Sequence, residues 1–171
     1  NAIVGPRGAH DERAVAKAVA EGLGVDADAV LTASTGAIGA PLPVDRIAAA
    51  VPALVAALGD DALPAAEAIR TTDLRTKVAF REVDIGGRAI KFAAIAKGSG
   101  MIHPQMATML CYIVTDVTVA PAVLQAALAA AVEETFNTIT VDGDMSTNDT
   151  VLLLASGASG LQRTQTLDDD F

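Results

Sequence analysis

A glycine pair between two strand-like runs constrains the fold of this 171-residue chain more than any other feature. The runs VAFREVDI and AIKFAAIA, within residues 77–96, are separated by Gly86, Gly87 and Arg88. A Gly-Gly pair at such a junction supplies the positive φ angles that a tight hairpin turn requires. We therefore predict a β-hairpin over residues 77–96.

Helical and extended patterns flank this hairpin in mixed order. Apolar periodicity, acidic first-turn residues and a first-turn Pro121 predict helices, and short β-branched or apolar runs predict strands. An order of this kind favours an α+β fold of layered sheets and helices over a doubly wound parallel sheet. The predicted helices are residues 11–23, 45–58 and 121–137, and the predicted further strands are residues 29–32, 109–118 and 151–156.

The composition excludes several classes of function. The chain is 51% hydrophobic, which suffices for the core of one domain, and its 21 acidic against 12 basic residues give a net charge of −9. Nucleic acids and anionic membranes bind positively charged surfaces, so neither is expected as a partner.

Cysteine and histidine are too few for a structural disulfide or a recognisable metal site. Cys111 has no second cysteine to pair with, and His10 and His103 do not form a ligand pattern. The sequence has neither a signal-peptide pattern nor an apolar run of about 20 residues. We therefore expect a soluble, cytoplasmic protein without a bound metal or cofactor.

The stretch KGSGMIHPQMATML, residues 97–110, admits two interpretations. Its glycines and proline are typical of a surface loop that leads into a core strand. Alternatively, cleavage between Ala107 and Thr108 gives Thr108 a free α-amine with a pKa of roughly 7.7–8.0, which can act as the base for its own hydroxyl. The residues alone leave both interpretations open.

Four motifs together resemble the ornithine acetyltransferase (glutamate N-acetyltransferase) family of arginine biosynthesis. They are LTASTGAIGAPLP, AIRTTD, KGSGMIHPQMATML and FNTITVDGDMSTNDTVLLLASG, in the family's order and spacing. The resemblance implies an αββα-type sandwich like that of N-terminal-nucleophile aminopeptidases. It also implies self-cleavage at Ala107–Thr108 and transfer of an acetyl group from N2-acetylornithine to glutamate through acetyl-Thr108.

The same resemblance implies roles for individual residues. Thr35 and Gly36 of ASTG correspond to the oxyanion hole, while Thr71, Lys97 and Thr108 correspond to substrate-binding residues. Each has a chemical reason: a Gly36 N–H and a Thr35 hydroxyl can stabilise a developing oxyanion, and Lys97 can bind the carboxylate of an amino acid. From the residues alone, a solvated surface lysine is the favoured interpretation of Lys97, and Thr71 is equally consistent with a helix cap or turn.

The resemblance also implies an organisation for the chain. Residues 1–171 form one catalytic-domain fragment, in which 1–107 belong to an α-chain and 108–171 begin a β-chain. The cleaved chains stay together, in an α2β2 heterotetramer, and acetyl-CoA is a further candidate donor. A family segment with a substrate-binding glutamate is not found within these residues, so we expect part of the pocket to come from elsewhere in a longer polypeptide.

The polar segment DGDMSTND, residues 142–149, has carboxylates at positions that suggest the start of a calcium loop. It lacks glycine at the sixth position, and Leu153 occupies the place of the closing glutamate. We predict a hydrogen-bonded turn that supports the site.

Two other classes of function remain open beside the acyltransferase. An N-terminal-nucleophile amidohydrolase or aminopeptidase would use the same threonine but pass the acyl group to water. A catalytically silent fragment would only bind a partner.

Overall fold

The computed structural model describes residues 3–104 and 109–161, and the chain divides into two compact units, Asn1–Asp61 and Ala62–Phe171. The first unit contains helix α1 (Pro6–Leu23), a short 3-10 helix (Ala27–Ala29) and helix α2 (Val44–Ala56). Helix α1 begins at a proline, whose missing N–H is not needed there, and ends at Gly24 in the left-handed conformation.

Close contact between α1 and α2 occurs at Gly22. A Cβ atom at this position would lie 2.5 Å from Cγ1 of Val51, which is buried on α2. Helix α2 continues through the exposed Pro52, as the prediction for residues 45–58 allowed. The small Gly22 therefore lets the two helices of this unit approach each other closely.

The second unit is built on one mixed sheet, with strands in the order β1-β2-β3-β4. Strands β1 and β2 and strands β2 and β3 pair antiparallel, whereas β3 and β4 pair parallel. The predicted α+β class with a mixed sheet and a hairpin is confirmed. Its elements are α3 (Leu63–Ala68), β1 (Lys77–Ile85), β2 (Arg88–Lys97), β3 (Leu110–Thr115), α4 (Pro121–Glu134), a 3-10 helix (Phe136–Thr138) and β4 (Thr150–Ala155).

The predicted hairpin is confirmed, because β1 and β2 pair from Lys77 with Ala96 to Ile85 with Arg88. Gly86 and Gly87 have φ angles of 61° and 79°, as a two-residue turn of this twist requires. The turn is also closed by the Gly87 N–H, which donates to Asp84 Oδ1 at 3.0 Å.

Helix α4 connects β3 to β4, and a connection of this length is what parallel pairing demands. Its residues Ala127, Leu128 and Ala131 line a cavity together with one face of the sheet. The opposite face carries exposed apolar side chains, among them Phe80 and Val114.

A cluster of buried apolar side chains lies at the end of the sheet where the hairpin turns. Ile85, Ile90 and Val117 are buried there, and Ile90 and Val117 have no exposed surface. Phe92, Val119, Ala155 and Leu161 pack around them. We refer to this cluster as the apolar end of the sheet.

Two sequence-based expectations need correction. Residues 29–32 do not form a strand: Asp26 accepts a hydrogen bond from the Asp28 N–H at 3.0 Å and starts the 3-10 helix, and the Thr32 hydroxyl donates to Glu12 at 2.9 Å. Helix α1 begins five residues before Asp11, so the acidic residues lie beyond its first turn.

Along residues 3–104 and 109–161, no helix combines the length and the apolar character needed to cross a membrane.

Candidate active site

Lys97 lies at the last position of β2 and pairs with Leu110 at the start of β3. Only 1% of its surface is exposed, and its Nζ atom has no hydrogen-bond partner among the described residues. Burying an ammonium group without hydrogen bonds opposes folding, so a role in binding rather than in stability is expected for it. The interpretation of Lys97 as a solvated surface lysine is therefore wrong.

Asp73 fixes the chain next to Lys97. Its side chain is fully buried, and Oδ1 accepts hydrogen bonds from Lys77 Nζ and from the Gly98 N–H, the latter at 2.8 Å. Lys77 Nζ also donates to the Gly98 carbonyl at 2.9 Å. Gly98, immediately after Lys97, is thus held through both its N–H and its C=O.

The pKa of Asp73 reflects these contacts. Burial raises it, but the hydrogen bonds from Lys77 and Gly98, the charge of Lys77 and the Thr71 N–H together lower it below its usual value. Asp73 is therefore ionised at neutral pH, and its charge is offset by its direct partner Lys77. The Arg70 guanidinium holds the same loop by donating to the Asp73 carbonyl at 2.7 Å.

Asp149 holds the start of β3. Its Oδ1 accepts a hydrogen bond from the Met109 N–H at 2.8 Å, and its Oδ2 is buried without a partner among the described residues. Burial raises the pKa of Asp149, while the bond from Met109 and the charge of Lys97 lower it less strongly. Met109 directly follows Thr108, so Asp149 contacts the chain beside the predicted nucleophile.

Among the described residues, three charged groups act on Lys97. Burial lowers the pKa of its ammonium group most, Asp73 and Asp149 raise it, and Lys77 lowers it. Burial thus pushes both Lys97 and Asp149 toward their neutral forms, against their mutual attraction. The charge on Lys97 depends on these neighbours rather than on water.

A cavity of about 240 Å³ opens beside Lys97. Ligand pockets typically measure ~300–1,000 Å³, so this cavity suits a small metabolite such as an amino acid. Its walls are mainly apolar, which strengthens any electrostatic contact made inside it. The lining residues are Lys77, Ala96, Lys97, Gly98, Ser99, Ile102, Met109, Phe136, Ile139 and Val141.

The polar segment 142–149 forms the predicted hydrogen-bonded turn at the rim of this cavity. Asp142 accepts from the N–H groups of Met101 and Ile102 at 2.7 and 2.9 Å, and these bonds lower its pKa. The Val141 N–H in turn donates to the Ile102 carbonyl at 2.8 Å. The first carboxylate of the segment therefore orders the loop that follows Gly100, and its last carboxylate, Asp149, reaches Met109.

The predicted substrate-binding residue Thr71 lies on the loop between α3 and β1, two residues before Asp73. Its side chain is exposed, and its backbone N–H acts on the Asp73 carboxylate. The neighbouring Thr72 hydroxyl lies 2.7 Å from the Ser99 hydroxyl, which joins this loop to the glycine-rich stretch. Thr71 and Lys97 are thus connected through Asp73.

Thr35 and Gly36 lie in the irregular stretch between the 3-10 helix and α2 of the first unit. The Thr35 hydroxyl is buried and has no hydrogen-bond partner among the described residues, while Gly36 is exposed. A donor that is left free is what an oxyanion hole requires before substrate binds. Ala107 and Thr108, the predicted cleavage site and nucleophile, lie outside the described residues.

Neither Asp73 nor Asp149 was identified from the sequence as a site residue. Asp73 ends the RTTD motif and Asp149 ends the polar segment, so each stood within a quoted motif without an assigned role. Within residues 3–104 and 109–161, no three His, Cys, Asp or Glu side chains gather in a way that could hold a metal ion. Cys111 is buried, and burial raises the pKa of its thiol to about 11.

Comparison with known proteins gives a consistent result. The model of the ArgJ family matches residues 1–171. The arginine biosynthesis bifunctional protein ArgJ of Symbiobacterium thermophilum is 49% identical over 164 residues, which are 95% of this chain and 41% of that protein. The protein of the same name from Ruegeria pomeroyi is 53% identical over 162 residues, which are 94% of this chain and 40% of that protein.

A solved structure agrees with the fold. The crystal structure of arginine biosynthesis bifunctional protein argJ from Bacillus halodurans superposes with a TM-score of 0.52 at 32% identity, covering 62% of this chain and 55% of that one. This likeness confirms the fold that the sequence motifs implied. The chain spans about two fifths of the length of the curated relatives. By its motifs, its fold and its full-length match to the family model, the chain belongs to the ArgJ family.

Proposed function

We propose that this chain carries the nucleophile and part of the substrate pocket of an acetyltransferase that moves an acetyl group from N2-acetylornithine to glutamate. The observation that carries the proposal is the buried ammonium group of Lys97, which has no hydrogen-bond partner in the part of the chain that the structure describes and lines a small cavity together with Met109. A buried cation beside an amino-acid-sized cavity is suited to a substrate carboxylate. Membership of the ArgJ family supports the reaction, because its relatives are named for arginine biosynthesis.

The first step in this proposal is self-cleavage. The Thr108 hydroxyl attacks the Ala107 carbonyl carbon, the peptide C–N bond breaks, and the acyl group moves from nitrogen to oxygen. Water then hydrolyses the ester, which leaves a carboxylate on Ala107 and both a free hydroxyl and a free α-amine on Thr108. The amine has the pKa range of a general base at neutral pH.

Acetyl transfer follows in two halves. The Thr108 amine takes the hydroxyl proton while Oγ attacks the acetyl carbonyl of N2-acetylornithine, and the Thr35 hydroxyl and Gly36 N–H stabilise the oxyanion. Ornithine leaves with a proton from the Thr108 ammonium, and acetyl-Thr108 remains. The amine of glutamate then attacks this ester, which gives N-acetylglutamate and restores the Thr108 hydroxyl. No metal or cofactor takes part in this sequence.

The proposal extends to the assembly. A cut at Ala107–Thr108 falls between β2 and β3, which are hydrogen-bonded neighbours from Phe92 with Thr115 to Lys97 with Leu110. Separating the fragments would therefore expose the middle of the sheet to water. This argument favours two fragments that stay associated, and we propose an α2β2 heterotetramer in the cytoplasm.

The experiment is to incubate the full-length polypeptide that carries this chain with N2-acetylornithine and glutamate and to identify the products. Accumulation of N-acetylglutamate, lost in Thr108→Ala, is the expected result. If free acetate accumulates in its place, the protein is an N-terminal-nucleophile amidohydrolase. If neither N-acetylglutamate nor acetate forms, the chain is a catalytically silent fragment. A parallel reaction with acetyl-CoA and glutamate tests the further candidate donor.

A further inference from the structure

Two carboxylates act on the Lys97 ammonium, and they differ in what else they bind. Asp73 is directly paired with Lys77 and accepts the Gly98 N–H. Asp149 accepts the Met109 N–H through Oδ1, and Oδ2 of both carboxylates is buried without a partner among the described residues. Of the two, Asp149 is thus the carboxylate that forms no ion pair within the part of the chain that the structure describes.

We propose that Asp149 is a positioning residue that keeps the Lys97 ammonium charged for substrate binding and holds the chain that directly follows Thr108. The inference rests on the proposed function, in which Lys97 binds the carboxylate of the substrate. Through Oδ1 the Asp149 side chain fixes the first backbone N–H after the nucleophile. The negative charge of Asp149 also raises the pKa of Lys97, which lies 52 positions earlier in the chain.

The charged groups that act on Lys97 among the described residues come from different elements. Asp73 comes from the loop before β1, Lys77 from β1 itself and Asp149 from the loop before β4. Asp73 raises the pKa of Lys97 more than Asp149 does, but Asp73 is also bonded to Lys77, whose charge lowers that pKa. Asp149 adds a second attraction from the same end of the sheet, because Lys97 pairs with Leu110 and Leu110 pairs with Thr150, the residue after Asp149.

The sign of the effect follows directly. Removing the negative charge of Asp149 removes a contribution that raises the pKa of Lys97, so the pKa falls further. If the charged lysine binds the substrate carboxylate, kcat/KM declines as pH rises through that pKa. Without the Asp149 charge this decline therefore begins at a lower pH. A purely structural carboxylate would change kcat/KM at all pH values alike.

Asp149→Asn separates the two roles, because an amide oxygen can still accept the Met109 N–H while the charge is gone. The matched control is Asp142→Asn, on the same polar segment, since Asp142 also accepts backbone N–H groups but does not act on Lys97. Asp149→Glu restores the charge, and Asp149→Ser replaces the asparagine variant if that one does not fold.

The test measures kcat/KM against pH for the full-length polypeptide and, separately, the pKa of Lys97 by NMR of isotope-labelled lysine, assigned with Lys97→Arg. We expect Asp149→Asn to move both the alkaline limb of kcat/KM and the Lys97 pKa to lower pH. Asp142→Asn should retain the wild-type limb, and Asp149→Glu should recover most of it.

Several outcomes would overturn the proposal. One is an unchanged Lys97 pKa in Asp149→Asn, and another is an equal shift of that pKa in Asp149→Asn and Asp142→Asn. A third is failure of both Asp149→Asn and Asp149→Ser to fold, which would assign Asp149 a structural role. A wild type that transfers no acetyl group would contradict the proposed function instead. The NMR titration would still decide whether Asp149 controls the charge of Lys97.

Discussion

The two ends of the sheet bury different kinds of side chain. At the apolar end, Ile90 and Val117 are fully enclosed by other hydrocarbon groups. At the opposite end, where β2 finishes and β3 and β4 begin, the side chains of Lys97 and Asp73 are fully buried, and Asp149 also acts on Lys97. We call this second region the charged end of the sheet.

The difference between the ends separates stability from function. Burying Ile90 or Val117 is favourable in itself, whereas enclosing an ammonium group without hydrogen bonds opposes folding. Replacing buried charges by packed hydrophobic residues often leaves a protein equally stable or more so, so a charge of this kind is weak evidence for a stabilising role. We infer that the apolar end holds the unit together and the charged end is retained for binding.

The largest expected effect is at the apolar end. Ile90→Ala removes most of a fully buried side chain and should lower the free energy of unfolding by about 2–5 kcal/mol. Urea unfolding of the full-length polypeptide measures this loss, and Ile90→Val, at about 1 kcal/mol, is the graded control. The KM of the folded variant should stay at the wild-type value. A change in KM without a loss of stability would reverse the assignment of the two ends.

At the charged end, Lys97→Met keeps the length of the side chain and removes its charge. A charge-assisted hydrogen bond contributes about 1.5–3 kcal/mol, so KM should rise on the order of 10- to 100-fold with little change in self-cleavage. Steady-state kinetics provide the measurement. Lys91→Met is the matched control, because Lys91 lies on the same strand but is exposed. Equal KM values for wild type and Lys97→Met would exclude this lysine from substrate binding.

A smaller effect is expected at Gly157, which follows β4 near the apolar end. Its φ angle is 72°, and an added Cβ would lie 2.8 Å from the Thr118 hydroxyl oxygen. Gly157→Ala should therefore cost about 1–2 kcal/mol of stability, from strain and crowding together, with kinetics unchanged. Gly59→Ala, where no atom lies within 4 Å, should stay within about 0.5 kcal/mol of wild type. Similar thermal stability of the two variants would refute this account of Gly157.

The sequence predicted the sheet better than the first unit because its signals there are local. Gly86 and Gly87 determine the hairpin through their own φ angles, and the helix after Pro121 explains the parallel pairing of β3 with β4. The six-residue helix α3 was not predicted, since it is too short for apolar periodicity to appear. The short apolar run at 29–32 predicts a strand, yet side-chain hydrogen bonds before and within it accompany an irregular conformation.

Prediction of the candidate site from the sequence is limited in the same way, because contacts between distant residues leave no local pattern. Motifs single out Lys97, Thr71, Thr35 and Gly36 as candidates, but no sequence pattern indicates that Lys97 is buried. The Asp149 contact with Met109 spans 40 positions and that of Asp73 with Gly98 spans 25, so neither follows from local pattern. Only the folded sheet brings together the end of β2, the start of β3 and the loops before β1 and β4.

The central claim is that the charged end of the sheet supports a nucleophile freed by cleavage of Ala107–Thr108. The most direct measurement is denaturing mass spectrometry of the purified full-length polypeptide and of its Thr108→Ala variant. The account predicts two fragments that meet at this bond in the wild type and one uncut, inactive chain in the variant. A wild-type chain that is intact at this bond and still transfers acetyl groups would contradict it.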